Sequence, residues 1–140
     1  MCTYEIVPSH QAIAAYNVDM AGLKDKVTFV LGDVINPATV DKSIRFDAAF
    51  LDPDWAVTGD NHQFRFRNSN TQPPADKLLD YISGITPNFA LVLPPLINPS
   101  EFNGLPEHEM QRLYIDNEHV LLCLYFGDLK LTGGATEYRA

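Results

Sequence analysis

The sequence predicts an α/β protein built on a mostly parallel sheet that closes with an antiparallel hairpin. Three observations carry this reading. Short apolar, β-branched runs alternate with segments of helical periodicity; a two-residue turn joins two strand-like runs near the C-terminus; and acidic residues punctuate the ends of the early runs.

Cys2 to Val7 is apolar except for Glu5 and is stopped by Pro8-Ser9, which reads as a buried strand. Ser9 then offers an N-cap, Ile13, Tyr16, Met20 and Leu23 recur at spacings of three and four, and Gly22 offers a stop, so an amphipathic helix follows. Val27 to Leu31 is a second strand, closing on Gly32-Asp33. After a loop holding Asn36-Pro37, Phe46 to Leu51 is a third strand with a polar mouth, Asp52-Pro53-Asp54-Trp55. Residues 56 to 72 lack a clear period and form a long loop. Pro73-Pro74 precede a short helix with Leu78, Leu79 and Ile82 on one face and Gly84 at its end, and Phe89 to Leu93 is a fourth buried strand. Gln111 to Asp116 and His119 to Phe126, joined by Asn117-Glu118, form the hairpin. Residues 132–140 read as a flexible tail or linker, leaving 1–131 as the folded domain.

The 140 residues are enough for one domain and one core. Cys2 and Cys123 stand apart, without a second Cys or clustered His, so neither a disulfide framework nor a metal site is expected, and both read as buried reduced thiols. No apolar run approaches a membrane span, and the amino end lacks a signal-peptide pattern, so no membrane partner and a cytoplasmic location are expected. The formal net charge of −8 argues against a general tracker of phosphate backbones. One local exception is Phe64-Arg65-Phe66-Arg67-Asn68, readable as a nucleotide-binding edge or as an edge strand with two solvated arginines.

In an open parallel sheet, ligands bind beyond the carboxyl ends of the strands. An acid closing one strand can accept from ribose hydroxyls, and an acid after the next can accept from an adenine amino group; Glu5 and Asp33 have that spacing. Each is also the kind of residue that caps a following turn. Asp52-Pro53-Asp54-Trp55 sets a carboxylate, a turn and an indole at one strand mouth, a group able to hold a planar amine, or equally an Asp-Pro turn with a packed Trp.

With these segments in this order, the chain resembles the class I S-adenosylmethionine-dependent methyltransferases from their second strand onward. Tyr4-Glu5-Ile6 is similar to the ribose-binding strand end, Val30-Leu31-Gly32-Asp33-Val34 to the adenine-contacting segment, and Asp52-Pro53-Asp54-Trp55 to the (Asp/Asn/Ser)-Pro-Pro-(Tyr/Phe/Trp) motif of amino-group methyltransferases. Phe46 to Trp55 and Leu124-Tyr125-Phe126-Gly127-Asp128-Leu129 look most like the trimethylguanosine synthase group and its bacterial relatives with a THUMP-like domain. Two departures stand out. Asp54 occupies the place of the motif's second proline, and no first strand with a Gly-x-Gly loop is present, so a Rossmann-like sheet lacking its first strand is expected over 1–131.

The resemblance implies N-methyl transfer from S-adenosylmethionine to RNA or a nucleobase amine. Glu5, Ile6, Asp33 and Val34 would bind the cofactor, and Asp52, Pro53 and Trp55 would form the catalytic turn. The competing expectation is a non-catalytic remnant serving as an oligomerisation or nucleic-acid-contact module. Strand edges left open by the missing strand predict self-association.

Overall fold

The computed structural model describes residues 1–36, 38, 45–55 and 63–140; Pro37 and residues 56–62 of the expected loops lie outside them. The chain divides into two units, Met1–Ile44 and Arg45–Ala140.

The first unit holds β1 (Cys2–Glu5), α1 (Pro8–Met20) and β2 (Thr28–Leu31). The strands pair in parallel, Cys2 opposite Thr28 and Glu5 opposite Leu31. Helix α1 starts two residues earlier than its sequence suggests, with Val7 rather than Ser9 in the cap position. Pro8, with its fixed φ and no N–H to satisfy, takes the first helical position, and Val7 precedes it without a capping side chain. The helix ends as Gly22 predicts: Gly22 has φ +69°, its N–H reaches the Asp19 carbonyl, and the Leu23 N–H reaches the Val18 carbonyl. The expected core face does not materialise, since α1 buries none of its residues and Ile13, Tyr16 and Met20 stay 61%, 65% and 71% exposed. A pair of four-residue strands is too small a surface to cover the stripe of a thirteen-residue helix. Cys2 is likewise only half-buried, whereas Cys123 is buried.

The second unit holds β3 (Ala49–Leu51), α2 (Ala75–Ser83), β4 (Phe89–Leu93), β5 (His108–Ile115), β6 (Glu118–Phe126) and β7 (Ala135–Arg139). Their order in one sheet is β3-β4-β6-β5-β7. β3 and β4 are parallel, β6 is antiparallel to both β4 and β5, and β7 returns parallel to β5. The chain is α/β as expected, with a two-stranded parallel sheet and a five-stranded one that is mixed rather than mostly parallel, having two parallel and two antiparallel ladders.

All five residues of β4 are buried. On one face, Leu91 and Leu93 pack with Leu122, Leu124 and Phe126, where Ala75, Leu78, Leu79 and Ile82 of α2 are buried as their helical spacing predicts. Phe89 and Phe126 stack there at 4.4 Å between centroids. The chain leaves β6 at Gly127, φ +60°, where a Cβ would stand 2.2 Å from Asn88 Oδ1; the freed space lets Asn88 Oδ1 accept from the Asp128 N–H.

The hairpin turn is Asp116-Asn117, one residue before the expected pair. Both central positions of this turn need positive φ, here +50° and +66°, which Asp and Asn tolerate far better than Glu118 would. The Phe64–Asn68 segment is neither an edge strand nor a stacking platform. Phe64 and Phe66 are buried, Phe66 meets Phe102 edge-on, and the Glu101 carboxylate accepts from the Phe66 and Arg67 N–H groups.

Nor do residues 132–140 form a loose tail, since β7 lies among them. Its anchor is Glu109, 2% exposed, whose carboxylate accepts from the Leu131 and Thr132 N–H groups and from the Thr136 hydroxyl. The Thr136 hydroxyl first, then the Leu131 N–H, hold this carboxyl below its ordinary value. A depressed folded-state value stabilises the fold above the unfolded carboxylate range, and that contribution fades as pH falls through the folded value. Glu109→Ala is thus expected to cost roughly 2–4 kcal/mol at pH 7. Thermal melts of wild type and variant should converge as the pH is lowered through and below the ordinary glutamate range.

Candidate functional site

Asp52 to Trp55 leave the carboxyl end of β3, beside the equivalent end of parallel β4. The turn is fixed from both sides. Pro53 is fully buried, and Asp54 forms an antiparallel bridge with Gln72, its N–H to the Gln72 carbonyl at 2.7 Å and the return bond at 2.8 Å. The next residue, Thr71, is fully buried; its hydroxyl donates to the Pro73 carbonyl and accepts from the Ala75 N–H at the start of α2. The long loop therefore departs and returns at one clamp. Asp54, which replaces the motif's second proline, ties the turn through its backbone.

Alternation along the ladders shows what shares the face with this turn. Leu51 pairs with Leu91, so Asp52 continues opposite Val92; Val92 pairs with Cys123, and Cys123 with Gln111. One row thus crosses four strands: Asp52, Val92, Cys123, Gln111. Ala90, Val92 and Cys123 form a buried floor, and half-buried Trp55, Leu121 and Tyr125 pack against it. The Tyr125 hydroxyl donates to Gln111 Oε1 at 3.1 Å.

The electrostatics follow from this crowding. Partial burial, and then the neighbouring Asp54 charge, raise the Asp52 carboxyl. Burial pushes the Cys123 thiol up, and the Asp52 and Glu109 charges add to it. Burial also carries the Tyr125 phenol to about 12, so it stays a neutral donor.

Glu5 and Asp33 stand at the shared carboxyl edge of β1 and β2. Each caps the turn that follows it: Glu5 Oε1 accepts from the Val7 N–H at 2.8 Å, and Asp33 Oδ1 from the Ile35 N–H at 3.0 Å. Glu5 Oε2 lies 4.0 Å from His10 Nδ1. Ile6 is exposed beside them and Val34 half-buried. Asp52, Pro53 and Trp55 belong to the other sheet, so the ladders bring together two groups of expected residues and not one.

Sequence reasoning missed Gln111, Cys123 and Tyr125. Their signal was the period of two in the hairpin, where Glu109 and Gln111 alternate with Met110 and Arg112, and Cys123 and Tyr125 with leucine and phenylalanine. Two clefts, of about 370 and 300 Å³, lie away from Asp52: the first beside His108 and Gly133 near the amino end of β5, the second beside Arg67 and Asp76. No protein-family model matches the chain.

A raised carboxylate value means that ionised Asp52 is held at a cost to the fold. The cost is absent below the ordinary carboxylate range and present once pH rises through the folded value. Asp52→Asn is therefore expected to raise the thermal midpoint at pH 7 and to leave it unchanged near pH 3, measured by calorimetry at both pH values.

Proposed function

We propose that this chain carries the acceptor-binding turn and the adenosine-binding edge of an S-adenosylmethionine-dependent N-methyltransferase acting on a nucleobase amine, in RNA or free. The observation that carries the reading is Asp52-Pro53-Asp54-Trp55 at the carboxyl end of a parallel strand, with β4 beside it and antiparallel β6 beyond. This is the local order that the resemblance implies. In that family the strand bearing the glycine-rich loop runs between the equivalents of β1 and β3. Each of these two has one ladder edge without a strand among the described residues, which also supports the reading.

Bound S-adenosylmethionine would supply an electrophilic methyl group. Among the described residues, Glu5 and Asp33 each keep one carboxylate oxygen free of backbone bonds, suited to ribose hydroxyls and to the adenine amino group, while Ile6 and Val34 offer apolar contact. Asp52 accepts an N–H of the amine and so aims its lone pair; Trp55 flanks the ring. The raised Asp52 carboxyl is suited to take up the proton that leaves the methylated nitrogen and pass it to water.

A second reading, an oligomerisation module, draws on the uncovered Ile13, Tyr16 and Met20 of α1 and on Phe50, 71% exposed on edge strand β3.

The methionine half of the cofactor rests, in the family, on a loop that these 140 residues do not contain. Each charge-assisted hydrogen bond lost there is worth about 1.5–3 kcal/mol, so S-adenosylhomocysteine is expected to bind this chain only at millimolar concentration or above. Amide resonances of Ile6, Asp33 and Val34 should move on titration, and should stay still in a Glu5→Gln, Asp33→Asn double variant that keeps a folded spectrum. No movement in the wild type, or equal movement in the variant, would overturn the assignment.

A further inference from the structure

We infer that β7 is a docking edge for a second copy of this chain: two β7 strands pair antiparallel about a two-fold axis at Tyr138, with Glu137 of each copy opposite Arg139 of the other. The inference is independent of methyl transfer, and it uses neither α1 nor the exposed Phe50 of β3.

Strand β7 ends the five-stranded sheet, and among the described residues no strand pairs with its outer edge. It runs in unbroken parallel register with β5, from Met110 opposite Ala135 to Tyr114 opposite Arg139. The Gly134 carbonyl accepts from the Met110 N–H, and the Ala140 N–H reaches the Tyr114 carbonyl, so the even-numbered positions turn their backbone groups toward β5. Alternation directs those of Ala135, Glu137 and Arg139 outward, a template for another strand. The template is held in place by Glu109, whose carboxylate takes the Leu131 and Thr132 N–H groups and the Thr136 hydroxyl.

Edge strands are ordinarily guarded against such pairing by lysine, proline or a bulge. Ala135-Thr136-Glu137-Tyr138-Arg139 has none of these. It carries one charge of each sign, two residues apart on one face, and both side chains are about half exposed. A strand bearing only one sign of charge repels a second copy however the two are aligned. This one repels it only where like meets like. Antiparallel copies must set outward-directed backbone groups against each other, and Glu137 opposite itself, or Arg139 opposite itself, is destabilised by like charge. Glu137 opposite Arg139 brings two attractive pairs together, each exchanging both of its backbone hydrogen bonds. The same register sets Tyr138, 54% exposed, against Tyr138 of the second copy on the other face, as a closely spaced pair without backbone bonds between them. Arg139 is already positioned for this role: its guanidinium lies 4.1 Å over the Tyr114 ring and donates to Glu137 Oε2 at 2.8 Å.

Sedimentation equilibrium of the full chain tests the pairing, at about 0.15 M salt, where repulsion between two chains of net charge −8 is screened beyond about 8 Å. A single strand edge buries less than a standard interface, so the wild-type dimer is expected to dissociate at about 10–100 μM. Glu137→Lys and Arg139→Glu each set like charges together at both pairs, and each alone should weaken the dimer about tenfold or more. Mixed in equal amounts, the two variants should recover at least the wild-type affinity, which loss of folding in either would prevent. Tyr138→Cys, in a Cys2→Ser background that removes the half-buried thiol, should form a symmetric disulfide with oxidised glutathione, because the facing Cα atoms would stand about 4.5 Å apart. A wild type that stays monomeric to about 500 μM overturns the inference. So does a dimer that survives both charge variants, a mixture that stays monomeric, or a dimer that Tyr138→Cys does not cross-link.

Discussion

Strand β4 must be covered twice, and the second unit is organised around that constraint. A five-residue strand with every side chain buried cannot present either face to water, and it cannot leave its backbone groups unpaired at either edge. One face is met by α2 and the leucines of β6. The edges are met by β3 and β6. For the other face the described residues offer no helix, and Trp55, from the turn that follows β3, packs with Leu121 and Tyr125 against the cluster of Ala90, Val92 and Cys123. The residue with the strongest functional signal is thus also a packing residue, and the two roles draw on the same property: a large, flat apolar surface with one polar edge.

That dual use explains why the Asp52 turn is so heavily tied. Pro53 is buried, Asp54 is bridged to Gln72, and Thr71 is hydrogen-bonded into the start of α2. Partial desolvation, and then the neighbouring Asp54 charge, make the Asp52 carboxylate unfavourable, and the clamp holds the turn that carries it. Functional sites often keep such groups at the expense of stability.

On the proposed reading, Glu5 and Asp33 would carry a milder form of the same double duty. Each uses one oxygen to cap the backbone that follows its strand, and each retains another. Capping would leave room for the proposed ligand binding because a carboxylate has two oxygens and about four acceptor positions. The capping bond also fixes the side-chain direction, so a ligand would meet an acceptor already aimed at the carboxyl edge.

The sequence by itself determined what depends on neighbours along the chain. The Gly22 stop of α1, the buried stripe of α2, the apolar run of β4 and the existence of the hairpin all follow from periodicity and turn chemistry, which act over a few residues. Boundaries slipped where two signals competed, as when Pro8 displaced Ser9 from the start of α1 and the positive φ of Asp116 and Asn117 moved the turn by one place. Only the tertiary structure decided the rest. Uncovered Ile13, Tyr16 and Met20, buried Phe64 and Phe66, the anchoring of β7 by Glu109, and the row from Asp52 to Gln111 all depend on which distant segments meet. A period of two says that Gln111 and Cys123 lie on one face of their strands. Which face that is, and that Asp52 and Trp55 share it, is set by the ladder order and by the packing of α2 against the opposite side.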